Sequence, residues 1–212
     1  MDFFTAHDFE RWDATYRRTL INAISGPRSL FLMGTVHPNG QPNLGLFFNV
    51  LHVGANPPML AVLFRPLTVP RHSYDNAFRT QSCTLNLVSE AMIPKAHLAS
   101  ASFADGESEF DAVGLHAEYI DGFDSPAVAE SPLKLGLKPI EEHAIEANQT
   151  RLVVLQVEWM QVDSECISDE GFLRLEQMQA AVANGLDGYA GMARSRRYKY
   201  AKVGEPLIQK NM

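Results

Sequence analysis

The sequence is poor in cysteine and has no long apolar segment. Its two cysteines, Cys83 and Cys166, lie far apart in 212 residues, so they form no disulfide framework. Without a C-x-x-C pair they also indicate no redox or zinc chemistry, and we predict that both are reduced thiols. The longest apolar runs, residues 30–34 and 59–64, are far shorter than the ~20 residues of a membrane-spanning helix, so we predict no membrane span.

The motifs of several large enzyme classes are absent as well. The sequence contains no G-x-S-x-G, G-x-x-x-x-G-K-[ST] or G-x-G-x-x-G, which leaves α/β-hydrolase, P-loop and Rossmann interpretations without support. Its seven histidines include no pair spaced to place two metal ligands on one helix face, so we predict no zinc site. An enzyme whose cofactor carries the reaction is still possible, because it needs little catalytic side-chain chemistry.

Positive charge is scarce. The net charge of −7 argues against a nucleic-acid-binding protein, because affinity for phosphate comes mainly from lysine and arginine. The N-terminal stretch MDFFTAHDFERWD is acidic and aromatic where a signal peptide is basic and then apolar, so we expect a cytoplasmic protein. One basic cluster near the C-terminus is either a solvated face or a contact to a phosphate-bearing ligand. It consists of Arg194, Arg196, Arg197, Lys199 and Lys202.

The sequence does contain enough apolar residues for a sizeable core. Hydrophobic residues make up 46% and charged residues 20% of the chain, with no strongly biased segment. We see no linker and predict one domain over residues 1–212. Apolar residues spaced three or four apart predict an N-terminal helix at about 8–24, after a Thr5/Asp8 capping box. A C-terminal tail from about 186 to 212 carries the basic cluster.

Six segments carry strand patterns. The Asn39-Gly40 pair predicts a type I′ hairpin turn, and the turn from Gly54 to Pro58 predicts a second hairpin, so the sheet begins antiparallel. Short strands with short helical insertions favour an all-β antiparallel barrel with peripheral helices over a parallel doubly wound sheet. The predicted strands are 29–36, 43–53, 59–64, 82–88, 133–145 and 150–162, and further helical segments are predicted at 91–102, 108–115 and 175–182.

Polar residues interrupt the apolar run within residues 37–53. Asn43, Asn49 and His52 stand where core packing alone would place hydrophobic residues. A buried asparagine must find hydrogen-bond partners, which are either groups of the protein itself or those of a bound molecule. The sequence leaves both alternatives open.

A second polar feature is a helix start predicted near residue 71. Arg71, His72 and Ser73 would occupy the first turn, and Asn76 follows one turn later. A helix start presents unpaired N–H groups and the positive end of the helix dipole, which together suit an anion. Arg65, Arg71 and the Ser73 hydroxyl would complete a phosphate site, whereas the alternative is an ordinary serine cap beside exposed arginines.

The order of these patterns over about residues 30–200 resembles the flavin reductase-like family. The matching stretches are Asn43 to Asn49, Asn56-Pro57-Pro58 with the apolar strand after it, RHSYDN at 71–76, TLNLVSE at 84–90, SEFDAVGL at 108–115 and AESP at 129–132. Arg71-His72 departs from the family, which commonly has Lys-Asp before a threonine where this chain has Ser73. Leu46 and Phe47 replace a frequent Pro-Ser pair, which would remove a hydroxyl contact to the flavin.

This resemblance implies an FMN-binding split β-barrel, an antiparallel Greek-key fold that is usually a homodimer with FMN near the subunit interface. It implies that the isoalloxazine ring is edged by Phe48, Asn49 and Val50. The phosphate would be held by Arg65, Arg71, His72, Ser73 and Asn76. The ring or ribityl chain would also lie near Asn86, Val88 and Ser89. Tyr189 or the basic tail at 194–202 would cover the flavin of the partner chain.

The function implied is an FMN-dependent oxidoreductase that takes hydride from NADH or NADPH at flavin N5 and passes the electrons to free flavin or to a partner. We assign no catalytic side chain, because the flavin carries the reaction. Two alternatives stay open. One is a non-enzymatic FMN-binding electron carrier whose flavin no nicotinamide can reach, and the other is a barrel that has lost its cofactor and serves as an interaction module.

Overall fold

Strands dominate the computed structural model, which describes residues 1–104 and 107–210. The helices are α1 (Ala6–Arg11), α2 (Ala14–Ala23), α3 (His72–Thr80), α4 (Ile93–Leu98) and α5 (Glu109–Val113), with single 3-10 turns at Glu90–Met92 and Ser164–Cys166. The strands are β1 (Arg28–Ser29), β2 (Phe31–Val36), β3 (Pro42–Phe47), β4 (Val50–Ala55), β5 (Pro58–Phe64), β6 (Cys83–Leu87), β7 (Ala117–Glu118), β8 (Ala127–Val128), β9 (Leu133–Ile145), β10 (Thr150–Val162), β11 (Ala181–Asn184) and β12 (Gly188–Gly191). None of the described helices is long and apolar enough to cross a membrane.

The main sheet has seven antiparallel strands in the order β3-β2-β6-β9-β10-β5-β4. Its two edge strands, β3 and β4, are consecutive in the chain and are separated only by Phe48 and Asn49, so the sheet curls until its edges approach each other. A ring contact between Phe47 and Phe64, with centroids 5.2 Å apart, lies across this closure. The antiparallel barrel predicted from the sequence is thereby confirmed.

Both faces of β2 are buried, which explains its continuous apolar sequence. Phe31 and Met33 belong to the core cluster inside the barrel, together with residues of β6, β9 and β10. Leu30 and Leu32 belong to a second cluster, which includes Phe110 and other residues of α4 and α5. This second cluster holds α4 and α5 against the outside of the barrel, and α5 packs beside β3.

Several predicted elements are confirmed closely. The strands β9 and β10 have the predicted bounds, since long runs of strand-forming residues mark both. The helix start near residue 71 is confirmed by α3, and the predicted segment at 108–115 contains α5, which ends on Gly114 in the left-handed conformation. The Thr5/Asp8 capping box is also present.

The predicted turn type and one predicted helix are wrong, and the predicted N-terminal helix is divided into two. Gly40 has a positive φ of 84° and Asn39 does not, so the loop is a type I turn followed by a left-handed glycine rather than type I′. The N-terminal helix breaks after α1, because the Asp13 carboxylate accepts hydrogen bonds from the N–H groups of Thr15 and Tyr16 and starts α2. The helix predicted at 175–182 is a turn followed by β11, which pairs with β1 and β12.

Two predicted strands are interrupted, and one helix is shorter than predicted. The strand predicted at 43–53 divides into β3 and β4, because the chain must cross from one edge of the sheet to the other at Phe48 and Asn49. The strand predicted at 29–36 divides at Leu30, where β1 leaves the main sheet to pair with β11. The helix predicted at 91–102 consists of one 3-10 turn and α4, which ends at Leu98.

Candidate functional site

A cavity of about 460 Å³ lies beside β3. It is bounded by the start of α3 on one side and by residues 99–102, which follow α4, and Glu109 of α5 on the other. This volume falls within the range of small-molecule and cofactor sites, about 300–1,000 Å³. Six of the residues predicted from the sequence to bind a ligand line it: Phe48, Asn49, Arg65, Arg71, His72 and Ser73. The structure therefore brings together residues from β3, the linker to β4, the end of β5 and the first turn of α3.

The other five predicted residues do not line this cavity. Asn76 is buried one turn behind Ser73, and Val50 packs against the barrel core. Asn86 and Val88 are completely buried, and Ser89 forms an isolated bridge with Ala180. Their roles toward a ligand stay predictions.

The polar end of the cavity is the start of α3. Arg71 is the N-cap residue, and its side chain makes no capping hydrogen bond. The N–H groups of Ser73 and Tyr74 donate to no group in the described ranges, so they are available to a ligand. The amide nitrogen of Asn43 donates to Ser73 Oγ over 3.1 Å, which leaves the hydroxyl hydrogen of Ser73 free to donate. Unpaired N–H groups and a free hydroxyl together suit an anionic oxygen group.

A buried network fixes this helix start to the sheet. Asn43 Nδ2 also donates to Thr35 Oγ1 over 2.9 Å, and Asn76 Nδ2 donates to the same oxygen over 3.3 Å. Thr35, Asn43 and Asn76 are all at most 3% exposed. The network therefore fixes α3 to β2 and β3 and holds Ser73 at the cavity wall.

Gly45 allows α3 to approach β3 this closely. A Cβ at this position would lie 2.9 Å from Ser73 Oγ and 3.1 Å from the Phe47 ring, which is tighter than normal packing allows. Any larger residue would displace the helix start or the aromatic ring. The glycine thus belongs to the construction of the cavity.

An aromatic wall, formed by Phe47, Phe64 and Tyr74, adjoins this helix start. Phe64 contacts Phe47 and Tyr74 in edge-to-face geometry, with centroid distances of 5.2 and 5.4 Å. The Tyr74 hydroxyl donates to Glu142 Oε2 over 2.9 Å, and burial together with this hydrogen bond raises the pKa of Tyr74 to about 12. This wall offers an apolar surface for a planar ring.

Arg28 holds the linker between β3 and β4, a role that the sequence did not suggest. Its guanidinium donates to Asn49 Oδ1 over 2.9 Å and to the backbone oxygens of Asn22 and Gly185, both over 2.8 Å, and it stacks on the Phe48 ring at 4.5 Å. Burial lowers the pKa of Arg28. The Asn49 carbonyl is thus satisfied by the protein, whereas its amide nitrogen donates to no group in the described ranges and is available to a ligand.

Glu109 is a second residue that sequence reasoning missed. The side chain lines the cavity, the residue is 8% exposed, and Oε2 accepts a hydrogen bond from Leu44 N over 2.9 Å. Burial raises the pKa of Glu109, although the Leu44 N–H and the nearby charge of His72 oppose this shift. The pattern SEFDAVGL identified the helix but gave no sign that its glutamate reaches a cavity wall.

The arrangement fits a ligand with a planar apolar part and an anionic end. Arg65 is exposed at the cavity, and Arg71 is fixed by a hydrogen bond from its Nε to the backbone oxygen of Pro66 over 3.3 Å. Across residues 1–104 and 107–210, no group of three or more His, Cys, Asp or Glu side chains could hold a metal ion. The donors and rings of the site therefore suit an organic anion better than a metal.

Comparison with known proteins gives a consistent result. Residues 25–176 match the model of the family described as "Flavin reductase like domain". A split-barrel protein from Shewanella frigidimarina NCIMB 400, described as a flavin reductase, is 33% identical, with a TM-score of 0.91 over 95% of this chain and 100% of its own. No match was found among the curated proteins.

Two more distant solved structures share the fold. The 2-nitrobenzoate 2-nitroreductase NbaA of Pseudomonas fluorescens is 18% identical, with a TM-score of 0.79 over 97% of this chain and 98% of its own. The flavoredoxin of Desulfovibrio vulgaris (Miyazaki F) is 24% identical, with a TM-score of 0.67 over 84% of this chain and 91% of its own. At these identities the likeness concerns the split barrel alone.

Proposed function

The chain belongs to the flavin reductase-like family, and from this membership we propose that it binds FMN in the cavity beside β3 and acts as an oxidoreductase that uses NADH or NADPH. The observation that carries the proposal is that one cavity joins an aromatic wall to the start of α3, where the N–H groups of Ser73 and Tyr74 donate to none of the described residues. FMN has the two corresponding parts, a phosphate and a planar ring system.

The phosphate would bind at the start of α3. The first-turn N–H groups, the Ser73 hydroxyl and the Arg71 guanidinium supply donors and positive charge to it, and Arg65 adds charge at the opening. Asn76 acts from behind by fixing the helix start through Thr35. The departures from the family pattern, Arg71-His72 and Ser73, keep the donors that a phosphate needs.

The ring system would lie against the aromatic wall and the linker between β3 and β4. Phe48 and Asn49 hold their positions through Arg28, so the Asn49 amide would present its hydrogens to a ring oxygen or nitrogen without reorganising. The aromatic side chains exclude water from one side of the ring. Bound FMN would supply the redox chemistry, taking hydride from a reduced nicotinamide and passing electrons to free flavin or a partner.

We also propose that the protein is a homodimer. The helices α1 and α2 lie wholly within the described part of the chain, and none of their residues is buried. The apolar side chains of Phe3, Ile24 and Leu51 are 88%, 67% and 54% exposed, and a second copy of the chain could cover such side chains. Light scattering on the eluting peak of a size-exclusion column should give twice the 23.6 kDa mass of the chain, and a monomer mass at micromolar concentration would contradict this part of the proposal.

Flavin uptake and anaerobic reduction test the proposed function. Added FMN should bind with quenched fluorescence, and NADH or NADPH should then bleach its visible band faster than in a protein-free control with the same reagents. A protein that takes up no FMN would refute the proposal. Bound FMN that dithionite bleaches and neither nicotinamide does would instead identify the electron carrier.

A further inference from the structure

The cavity contains one buried group that a phosphate site does not explain. Glu109 begins α5, is 8% exposed and lines the same cavity as Ser73 and His72. Its Oε2 accepts the Leu44 N–H, and the carboxylate also accepts a hydrogen bond from the backbone N–H of Glu109 itself. A carboxylate has about four acceptor sites, so this one can still accept a hydrogen bond from a ligand in the cavity.

The ligand group that fits this oxygen is a hydrogen-bond donor. A carboxylate and a phosphate both act as acceptors and carry like charge, so Glu109 does not contribute to phosphate binding. A hydroxyl can donate to a carboxylate, and such charge-assisted hydrogen bonds are short and strong. The part of the cavity wall that Glu109 forms is therefore suited to a hydroxyl group of a ligand.

The register along β3 fixes where this position lies. Leu44, which bonds Glu109, stands between Asn43, which donates to Ser73, and Gly45, which packs against Ser73. The Glu109 carboxylate therefore contacts β3 at the point where the helix start packs on it.

Glu109 thus lies beside the helix start, to which it is linked through Leu44. In FMN a chain of hydroxyl-bearing carbons joins the phosphate to the ring system, so hydroxyls come next to the phosphate. We propose that the Glu109 carboxylate accepts a hydrogen bond from a hydroxyl of this sugar-alcohol chain and thereby positions the flavin. This inference rests on the proposed function, because it requires FMN to occupy the cavity.

Three flavins separate the contributions of the ligand's parts. Lumiflavin has only the ring system, riboflavin adds the sugar-alcohol chain, and FMN adds the phosphate. Binding to wild type and to Glu109→Gln is measured by fluorescence quenching, with Asp111→Asn as the matched control, since it removes the same charge from an exposed position on the same helix. The glutamine variant keeps an oxygen for the Leu44 N–H and replaces the other carboxylate oxygen by an amide nitrogen, which cannot accept a hydrogen bond.

We expect Glu109→Gln to weaken riboflavin about fivefold to tenfold, because a charge-assisted hydrogen bond is lost, and to weaken FMN by a smaller factor, because the variant also removes the like charge beside the phosphate. Lumiflavin affinity should not change, and Asp111→Asn should leave all three affinities unchanged. Equal losses for the three flavins would show that Glu109 only supports β3, and would overturn the inference. So would no loss at all, or a gain confined to FMN.

The failure of this inference can be told from failure of the proposed function. If wild type binds FMN but Glu109→Gln has no effect specific to the sugar-alcohol chain, only the role of Glu109 is refuted. If wild type binds none of the three flavins, the flavin site itself is refuted, and the role of Glu109 with it.

Discussion

Two polar clusters lie on neighbouring strands of the barrel and differ in whether all their polar side chains are paired within the protein. The α3 cluster, formed by Thr35, Asn43, Ser73 and Asn76, ends at a hydroxyl on a cavity wall. The β6 cluster, formed by Ser82, Thr84, Asn86 and Ser125, satisfies its members within the protein. Polar residues that interrupt an apolar strand therefore indicate a ligand site only where some donor or acceptor stays unused.

Asn86 illustrates the closed case. Its amide nitrogen donates to Leu32 O over 3.0 Å and to Thr84 Oγ1 over 2.8 Å, while its Oδ1 accepts from Val128 N over 2.9 Å. The family resemblance implies a place for Asn86 near the flavin, and that prediction stays untested. Because its side chain has no unused hydrogen-bonding group, we expect Asn86 to stabilise the fold rather than to contact the ligand.

Replacing Asn86 should have the largest effect on stability. Asn86→Ala leaves Val128 N and Leu32 O without their buried partners, so we expect the free energy of unfolding to fall by about 2–4 kcal/mol. FMN affinity of the folded protein should change less than about twofold. Urea denaturation and flavin titration measure the two quantities, with the exposed Asn184→Ala as control. Loss of FMN binding with unchanged stability would contradict the distinction between the clusters.

Gly45→Ala should disturb the α3 cluster and leave the β6 cluster intact. The added Cβ would press on Ser73 and Phe47, so we expect a loss of about 1–3 kcal/mol in unfolding free energy together with weaker FMN binding. Gly40→Ala is a useful comparison, because nothing lies within 4 Å of a Cβ there and only the backbone conformation is strained. If Gly45→Ala loses stability but keeps FMN affinity, the approach of α3 to β3 does not matter for binding.

Removing phosphate donors should affect binding more than stability. Ser73→Ala and Arg71→Ala should each weaken FMN about tenfold, equivalent to ~1.4 kcal/mol. Riboflavin has no phosphate, so its affinity should be unchanged and serves as the internal control. Equal losses for FMN and riboflavin would place the phosphate elsewhere.

The smallest effect concerns the aromatic wall. The pKa of Tyr74 is raised to about 12 by burial and by the bond to Glu142, from an ordinary value of 10.0. A raised pKa means that the protonated phenol stabilises the folded state below about pH 10, and that this contribution disappears as the pH rises toward 12. The difference in unfolding free energy between wild type and Tyr74→Phe, about 1 kcal/mol, should therefore shrink above about pH 10. A difference that is independent of pH would show that folding does not raise the pKa of Tyr74.

The sequence predicted those parts of the molecule that local patterns determine. The start of α3 and the strands β9 and β10 follow from helix-start residues and from runs of strand-forming residues, and the polar character of Asn49 and Ser73 pointed to the cavity. Long-range packing determined the rest. The break between β3 and β4 depends on which strands form the sheet edges, and β11 became a strand because β1 pairs with it.

Long-range contacts also explain why the sequence analysis missed two residues of the site. Glu109 lines the cavity, and Arg28 holds the cavity-lining residue Asn49; each contacts a backbone or side-chain group that only the folded chain brings near. Asn86 presents the opposite problem, since a polar residue in an apolar strand looks the same in the sequence whether its partners belong to the protein or to a ligand. Only the hydrogen bonds made in the folded chain distinguish the two cases.

A crystal structure of the protein grown with FMN tests the central claim most directly. We predict electron density for FMN in the cavity beside β3, with phosphate oxygens within hydrogen-bond distance of the first-turn N–H groups of α3 and of Ser73 Oγ, and with the ring against the aromatic wall. A flavin whose phosphate lies away from the start of α3, or one bound against the β6 cluster, would contradict the account.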